Sequence, residues 1–379
     1  MRKTVVFSLL FAASCAVAFG ANVTMPTFQL LTRGALDGGL FALRTQADVG
    51  IRIGGGYKFG GELSLSIRSD NLEQPSVPGP AYDQDLMRAA LQERVSLSLA
   101  SVVIRDLFDQ PLEIRYFVGE LSRVLTGDIF PDQFGTRAIA TAHRGMLAFP
   151  AGIVYDGIHA VSGTGISLAA TGIAPWLYLD GAIYQDRNLG PGHYSTDVRA
   201  AFNIPSLKAE AFVGASYPGA QFGLYRGGLL LHYAAGSGSE FFTQFGIPRW
   251  APVADGPLNI DAFYFLFEPR VHIGPLSVIL TLFRHPSYYE QVPTTEAGAT
   301  DIIVRLAVGE RSDSLVSGGL ESAIRLRPAG PDDQVRVSVS PFVAMGSSGI
   351  VWDLRVNLNL FPYDLTSLFE AYIGVKTGF

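Results

Sequence analysis

The sequence predicts an all-β chain, a transmembrane antiparallel up-and-down β-barrel of about 18 strands. Apolar residues occupy every second position in 351–360, and this alternation recurs through nearly the whole chain. A period of two indicates strands, because successive side chains point to opposite faces. No amphipathic helical pattern competes with it, and no run of roughly 18 apolar residues follows the N-terminus. Closure into a barrel gives every backbone N–H and C=O group of such a sheet a hydrogen-bond partner, with lipid outside and water inside.

The strands follow one another along the chain with only a few long breaks. The predicted strands centre on residues 27–32, 36–53, 62–68, 94–104, 112–121, 157–170, 176–184, 196–204, 207–217, 222–233, 240–246, 260–267, 276–283, 302–308, 318–326, 335–343, 351–360 and 369–379. This count treats 157–170 as one strand, and 16 strands is the main alternative.

The alternation within each run also predicts which face its side chains occupy. In 94–104, Val95, Leu97 and Leu99 are expected to face outward. The glycine-rich turn 54–56 joins two alternating runs and predicts a hairpin.

The breaks between strands divide into two groups. The long breaks, such as 70–92 and 123–150, all fall at one end of the predicted barrel, and the short turns at the other. Bacterial membrane barrels have this asymmetry. It supports the count of 18, in which 157–170 is a single strand.

Composition excludes several classes of function. The net charge of -6 is too small to indicate nucleic-acid binding. With one cysteine, no disulfide framework or thiolate metal site can form within the chain. The six histidines lack close metal-ligand spacing, and no G-x-S-x-G nucleophile motif is present. We therefore expect no metal, no cofactor and no enzymatic activity.

The N-terminal residues indicate export. Arg2 and Lys3 precede an apolar run, and small residues around 18–21 offer a cleavage site after Gly20. Residues 1–20 are thus a predicted signal peptide, and 21–379 a single barrel domain. The alternative is a lipoprotein signal at Cys15, but the leucine expected three residues earlier is missing.

The last strand carries a resemblance to a known class. It alternates to an aromatic residue at the end of the sequence, and together with the signal peptide and hairpins it resembles bacterial outer-membrane β-barrel proteins of the porin type. This resemblance implies outer-membrane localisation, lipid contact and assembly by the barrel-assembly machinery. The residues that would form the assembly signal are Phe369, Ile373, Val375 and Phe379.

If the apolar faces meet lipid, the opposite faces line a lumen rich in arginine. The candidates for a basic ladder are Arg44, Arg52, Arg68, Arg115, Arg305, Arg336 and Arg355. Rings of arginine favour anions. The alternative is a polar lumen whose acidic residues, such as Glu62 and Glu113, pair with these arginines and cancel their charge.

The long break 123–150 is the candidate constriction. In the proteins that the chain resembles, a long loop after an early strand commonly folds into the barrel and narrows it. The residues that would line the constriction here are Asp128, Asp132, Arg137, His143 and Arg144. The alternative is an ordinary solvated loop.

These features predict a porin-like channel for small hydrophilic solutes, with anions as the finer hypothesis. The alternative is a structural or adhesive surface barrel with a blocked lumen, which Phe263, Phe265, Phe267 and Phe283 would help to fill if they face inward. A homo-oligomer is a further alternative, because an apolar outer wall has the same sequence pattern whether it contacts lipid or a neighbouring subunit.

Overall fold

The computed structural model describes residues 22–37, 40–56, 58–69, 95–136, 139, 159–217, 223–236, 238–290, 292–294, 296–309, 316–327, 335–347, 350–364 and 368–377. The predicted signal peptide and Phe379 lie outside these ranges.

The chain is built almost entirely from strands. Within the described ranges they are β1 Asn22–Asp37, β2 Leu40–Gly55, β3 Phe59–Ser69, β4 Val95–Ile104, β5 Leu112–Val124, β6 His159–Ala174, β7 Leu177–Asp186, β8 Tyr194–Ile204, β9 Leu207–Tyr217, β10 Leu224–Ala234, β11 Ser239–Trp250, β12 Tyr264–Ile273, β13 Leu276–Arg284, β14 Tyr288–Tyr289, β15 Val292–Pro293, β16 Thr300–Val308, β17 Val316–Leu326, β18 Val335–Ser347, β19 Ile350–Phe361 and β20 Phe369–Thr377. The helical segments there are α1 Ile129–Phe134, α2 Pro252–Asp255 and the 3-10 turns Leu107–Asp109 and Ile260–Ala262. No helix in the described part of the chain is long and apolar enough to cross a membrane.

The sheet closes on itself. Eighteen strands pair antiparallel with their neighbours in sequence, and β1 pairs with both β2 and β20. The remaining strands, β14 and β15, form a small separate hairpin. The predicted 18-stranded up-and-down barrel is confirmed, including the single strand β6 where 157–170 was expected.

The two ends of the barrel differ. The breaks after β3, β5, β7, β11 and β13 are the long ones, and they lie at one end, named here the loop end. The breaks after β2, β6, β8 and β12 are short and lie at the other, the turn end, where β1 begins and β20 finishes. This is the predicted asymmetry.

The outer wall is apolar. Exposed side chains such as Ile183, Val198 and Val213 alternate along β7 to β9 with buried ones. Exposed aromatic side chains lie near both rims: Tyr194, Tyr217 and Tyr225 at the loop end, and Trp176, Phe202 and Tyr233 at the turn end. An apolar band between two aromatic girdles is the outer surface of a membrane barrel.

A bulge corrects the predicted facing of β4. Ser64 of β3 pairs with Leu99, whereas Leu65 pairs with Leu97, so β4 has one extra residue at this point. A bulge changes the parity of the residues beyond it. Leu97 is exposed, as predicted, but Leu99 is buried against Phe117 inside the barrel, and its predicted outward orientation is wrong.

A second correction concerns β12. The predicted strand began at residue 260, but 260–262 form a 3-10 turn and β12 begins at Tyr264. Tyr264 and Leu266 are 0% exposed, whereas Phe265 between them is 38% exposed. Phe265 and Phe267 therefore belong to the outward row, and only Phe283 of the predicted lumen-filling strand residues is buried in the interior.

Candidate functional site

The break after β5 turns into the barrel. Its described residues, 125–136 and 139, are named here the inward loop. Leu125 adopts a left-handed φ of 61°, and Gly135, with a φ of 62°, terminates α1. Both conformations bend the chain sharply, so that α1 forms directly beside the wall.

Apolar side chains hold the inward loop against the wall. Leu125, Ile129, Phe130 and Ile139 are buried in one cluster with inward residues of the strands. The wall residues of this cluster are Ala169, Tyr178, Ala201, Phe212, Leu230, Phe242, Tyr264, Leu266 and Phe283. Burying a ring such as Phe130 contributes roughly 1.5–3 kcal/mol. The loop is thus packed along β6 to β13.

Two buried side chains of the wall hold the first residue of the inward loop. These residues, Leu125, Glu210 and Gln244, are named here the loop anchor. The Leu125 N–H donates to Oε1 of Glu210 on β9 at 2.8 Å. Nε2 of Gln244 on β11 donates to the Leu125 carbonyl at 2.7 Å. Since all three residues are buried, losing either bond would leave a backbone group unsatisfied away from water.

A glycine makes room for the anchor. A Cβ atom at Gly228 of β10 would lie 2.7 Å from Leu125 Cδ1 and 2.4 Å from the Tyr264 hydroxyl. Any larger residue would therefore push the inward loop away from the wall. At the other end of α1, the Lys208 ammonium donates to the Thr136 hydroxyl at 2.9 Å and lies over the Phe130 ring.

The predicted constriction residues Asp128 and Asp132 lie at this loop, and both are exposed. Partial desolvation raises the pKa of Asp132, and the charge of Asp128 adds to this. Arg52 of β2 and Arg199 of β8 act in the opposite direction. Positive charges from two separate parts of the wall, β2 and β8, thus act on the Asp132 carboxyl group. Arg137, His143 and Arg144 lie outside the described residues, so the constriction set stays a prediction.

Four residues of the predicted basic ladder are paired with carboxylates, namely Arg52, Arg115, Arg305 and Arg355. Arg52 lies 3.0 Å from Glu62, and Arg115 bridges Glu62 at 2.9 Å and Glu113 at 2.8 Å. The Arg52 side chain nevertheless keeps 52% of its surface exposed. The wall opposite α1 thus presents both signs of charge.

A second cluster lies on β16 to β19. Arg305 and Arg355 both contact Glu321, each at 3.2 Å, so two guanidinium groups share one carboxylate. The Arg305 guanidinium also stacks 3.8 Å from the Phe342 ring centroid. Two guanidinium groups therefore lie side by side on this part of the wall.

The other members of the ladder are less defined. Arg336 is exposed near the start of β18, on the same parity as the inward Phe342. The side chains of Arg44 and Arg68 are not described. The ladder as a guide for anions therefore stays a prediction.

Sequence reasoning missed a buried polar network on β6 to β10. Asp197 accepts two hydrogen bonds of 2.8 Å from Arg226 and one of 2.7 Å from the Tyr184 hydroxyl, which also contacts His159 at 2.8 Å. All four residues are buried, so this network stabilises the wall rather than meeting solute. No local pattern in the sequence indicates this network, because its four residues lie on four different strands.

The predicted assembly residues of β20 lie on one row. Phe369, Ile373 and Val375 share a parity, and Ile373 is exposed on the outer wall. Their role in assembly stays a prediction. In the described ranges, no group of three or more His, Cys, Asp or Glu side chains is arranged to hold a metal ion.

Comparison with known proteins gives the fold and no closer relative. No protein-family model matches the chain, and no curated protein matches its sequence. Among solved structures, Acinetobacter baumannii OccAB2 matches with 11% identity and a TM-score of 0.52, over 95% of this chain and 98% of that one. A triple mutant of the Rhodopseudomonas blastica porin matches with 9% identity and a TM-score of 0.50, over 95% of this chain and 100% of that one. At such identities the likeness shows the porin fold alone.

Proposed function

We propose that this chain is an outer-membrane channel for small hydrophilic solutes. The observation that carries the proposal is the closed barrel whose outer wall is apolar and whose inner wall carries ion pairs. Charged side chains on the inside and an apolar band outside are what a water-filled membrane barrel requires. The inward loop supports a narrowed passage rather than a wide pore.

The same proposal includes its location and partners. Residues 1–20 would direct export, and the row of Phe369, Ile373 and Val375, with Phe379, would be read by the barrel-assembly machinery. The apolar outer wall would contact lipid, and part of it would contact further subunits in a homo-oligomer.

We extend the proposal to anions as the favoured solutes. The supporting observation is that Arg305 and Arg355 both contact Glu321, so two guanidinium groups lie side by side on this part of the wall. Asp128 and Asp132 oppose them from the inward loop. A weak preference for anions is therefore expected, not a strong one.

Planar-bilayer recording of the refolded protein tests the channel itself. We expect discrete conductance steps and a reversal potential, under a salt gradient, that indicates weak anion preference. A folded barrel that never conducts would favour the second candidate, a structural or adhesive surface barrel. The buried cluster around Phe130, which fills part of the interior, is the observation in favour of that candidate.

Opposite selectivity shifts are expected from the two sides of the proposed aperture. Asp132→Asn should increase the preference for anions, and Arg52→Gln should decrease it. A unit charge at about 5 Å through water contributes roughly 0.8 kcal/mol, or about a fourfold change in local ion concentration, and salt screening reduces this. Reversal potentials at low and high salt measure the effect.

The matched control is Asp109→Asn, in the exposed turn between β4 and β5, where its carboxylate pairs with Lys58. It should leave the reversal potential unchanged. If the Asp132 and Arg52 variants behave like this control, neither residue lines the passage.

A further inference from the structure

The hairpin β14–β15 extends across the loop-end mouth of the barrel. It is part of the connection between β13 and β16, yet its Glu290 contacts Ala160 at the start of β6 and Asn188 just after β7. Five barrel strands lie between β7 and β13, and nine between β16 and β6. The hairpin therefore joins nearly opposite parts of the wall. Tyr289 within it packs into the same apolar cluster as the inward loop.

The contact on the far wall is made by one carboxyl group. Glu290, at the hairpin turn, is 3% exposed. Its Oε2 accepts a hydrogen bond of 3.3 Å from Asn188 Nδ2, and the Ala160 N–H also donates to this carboxyl. Its Oε1 is buried and has no hydrogen-bond partner among the described residues. Glu290 also adopts a left-handed φ of 52°, which a non-glycine residue rarely holds.

The base of the hairpin is held more firmly. His285 contacts the Tyr289 hydroxyl at 2.9 Å and Asp301 of β16 at 3.0 Å. The Thr294 N–H donates to the Ser287 carbonyl at 2.9 Å, and Glu296 forms ion pairs with Arg325 and Arg327. The base is thus fixed to its own side of the barrel, whereas Glu290 makes the hydrogen bonds to the far wall.

We propose that the hairpin β14–β15 is a proton-controlled strap across the mouth of the lumen, docked through Glu290 on Ala160 and Asn188 and released when that carboxyl ionises. The effect on transport rests on the proposed channel function, whereas docking and release do not.

The charges around Glu290 support this proposal. Burial raises the pKa of Glu290 to about 7, and the nearby carboxylates Glu120 of β5 and Asp186 of β7 reinforce the rise. Arg123 of β5 and the Ala160 N–H act in the opposite direction. The neutral form of Glu290 is therefore favoured in the docked position.

The sign of the pH dependence follows from this shift. A released Glu290 would have an ordinary pKa near 4.5, against about 7 when docked. Between these values only the docked form keeps its proton, so docking is strongest in acid and weakens as pH rises towards 7. The docking equilibrium should fall about tenfold per pH unit, roughly 300-fold in all, and then level off.

Distance measurement between two spin labels tests docking directly. The labels are placed with Val292→Cys on the hairpin and Arg187→Cys beside its contact on the far wall, with Cys15→Ser in the full chain. Both sites are exposed. We expect one short distance at pH 5 and an added population of longer distances at pH 8. An unchanged distribution would overturn the proposal.

Two variants of Glu290 distinguish the effect of its protonation from the effect of losing its hydrogen bonds. Glu290→Gln should keep the short distance at both pH values, and Glu290→Ala should give the long distances at both. Asp109→Asn is the control and should retain the response of the parent protein. If Glu290→Gln still responds to pH, another group controls the hairpin and the proposal is wrong.

Bilayer recordings add the transport effect. The parent channel should conduct less at pH 5 than at pH 8, and Glu290→Gln should remove this difference. A pH-dependent distance in a protein that never conducts would remove the channel function and keep the strap. A conducting channel in which the distance between the labels does not change with pH would keep the channel function and overturn the strap.

Discussion

The double variant Glu210→Ala, Gln244→Ala is expected to give a larger and noisier single-channel conductance than the parent protein. Each change leaves one backbone group of Leu125 buried without its partner, which costs about 1–3 kcal/mol. The two costs need not add, because both changes act on the same residue. Leu125 also holds an unfavourable left-handed conformation. The inward loop should then leave the wall, and the recordings should show a wider, fluctuating passage.

Two further variants control for damage to the barrel. Glu210→Gln keeps an acceptor for the Leu125 N–H and should stay close to the parent conductance. Thr243→Ala changes the neighbour of Gln244 on the outward parity and should have no effect. A heat-dependent shift in gel migration checks that each barrel is folded. Parent-like conductance in the folded double variant would contradict the role of the anchor.

The largest effect on assembly is expected from Leu354→Arg. Leu354 is exposed on the outer wall of β19, near the middle of the strand. A charge at the bilayer midplane on the lipid face costs about 2–4 kcal/mol. We expect this variant to fold into lipid vesicles poorly, with its urea midpoint lowered accordingly.

The matched control is the preceding residue. Asp353 is exposed on the opposite parity, on the side of Arg355 and its partner Glu321. Asp353→Arg introduces the same side chain one position earlier, so it should fold like the parent and shift the reversal potential towards anions. Equal folding of the two variants would mean that Leu354 does not face lipid.

The sequence was sufficient for the barrel because its signal is local. Alternation predicts both the strand and the direction of its side chains, and the outward Leu97 follows from it directly. It failed where the local period is interrupted. The extra residue on β4 turned Leu99 inward. In β12 both rows begin with apolar or aromatic residues, so alternation does not show that Tyr264 and Leu266 face inward and Phe265 outward.

The candidate site could be predicted from the sequence only in part, for a different reason. Length and polarity marked the segment of Asp128 and Asp132 as special. However, the residues that position it are Glu210 and Gln244, which lie 85 and 119 residues from Leu125. Glu290 likewise meets Asn188 across 102 residues. No periodic pattern connects such positions, because these contacts exist only after the ring has closed.

The pairing of β1 with β20 has a consequence for biogenesis. This pairing brings together residues such as Leu31 and Gly374, from opposite ends of the described part of the chain. A fragment that lacks β20 retains two edge strands with unpaired N–H and C=O groups. Lipid hydrocarbon offers these groups no hydrogen-bond partners. Closure of the sheet therefore requires the final strand. Pairing over such a separation is slow, and the incomplete sheet is open to aggregation until then.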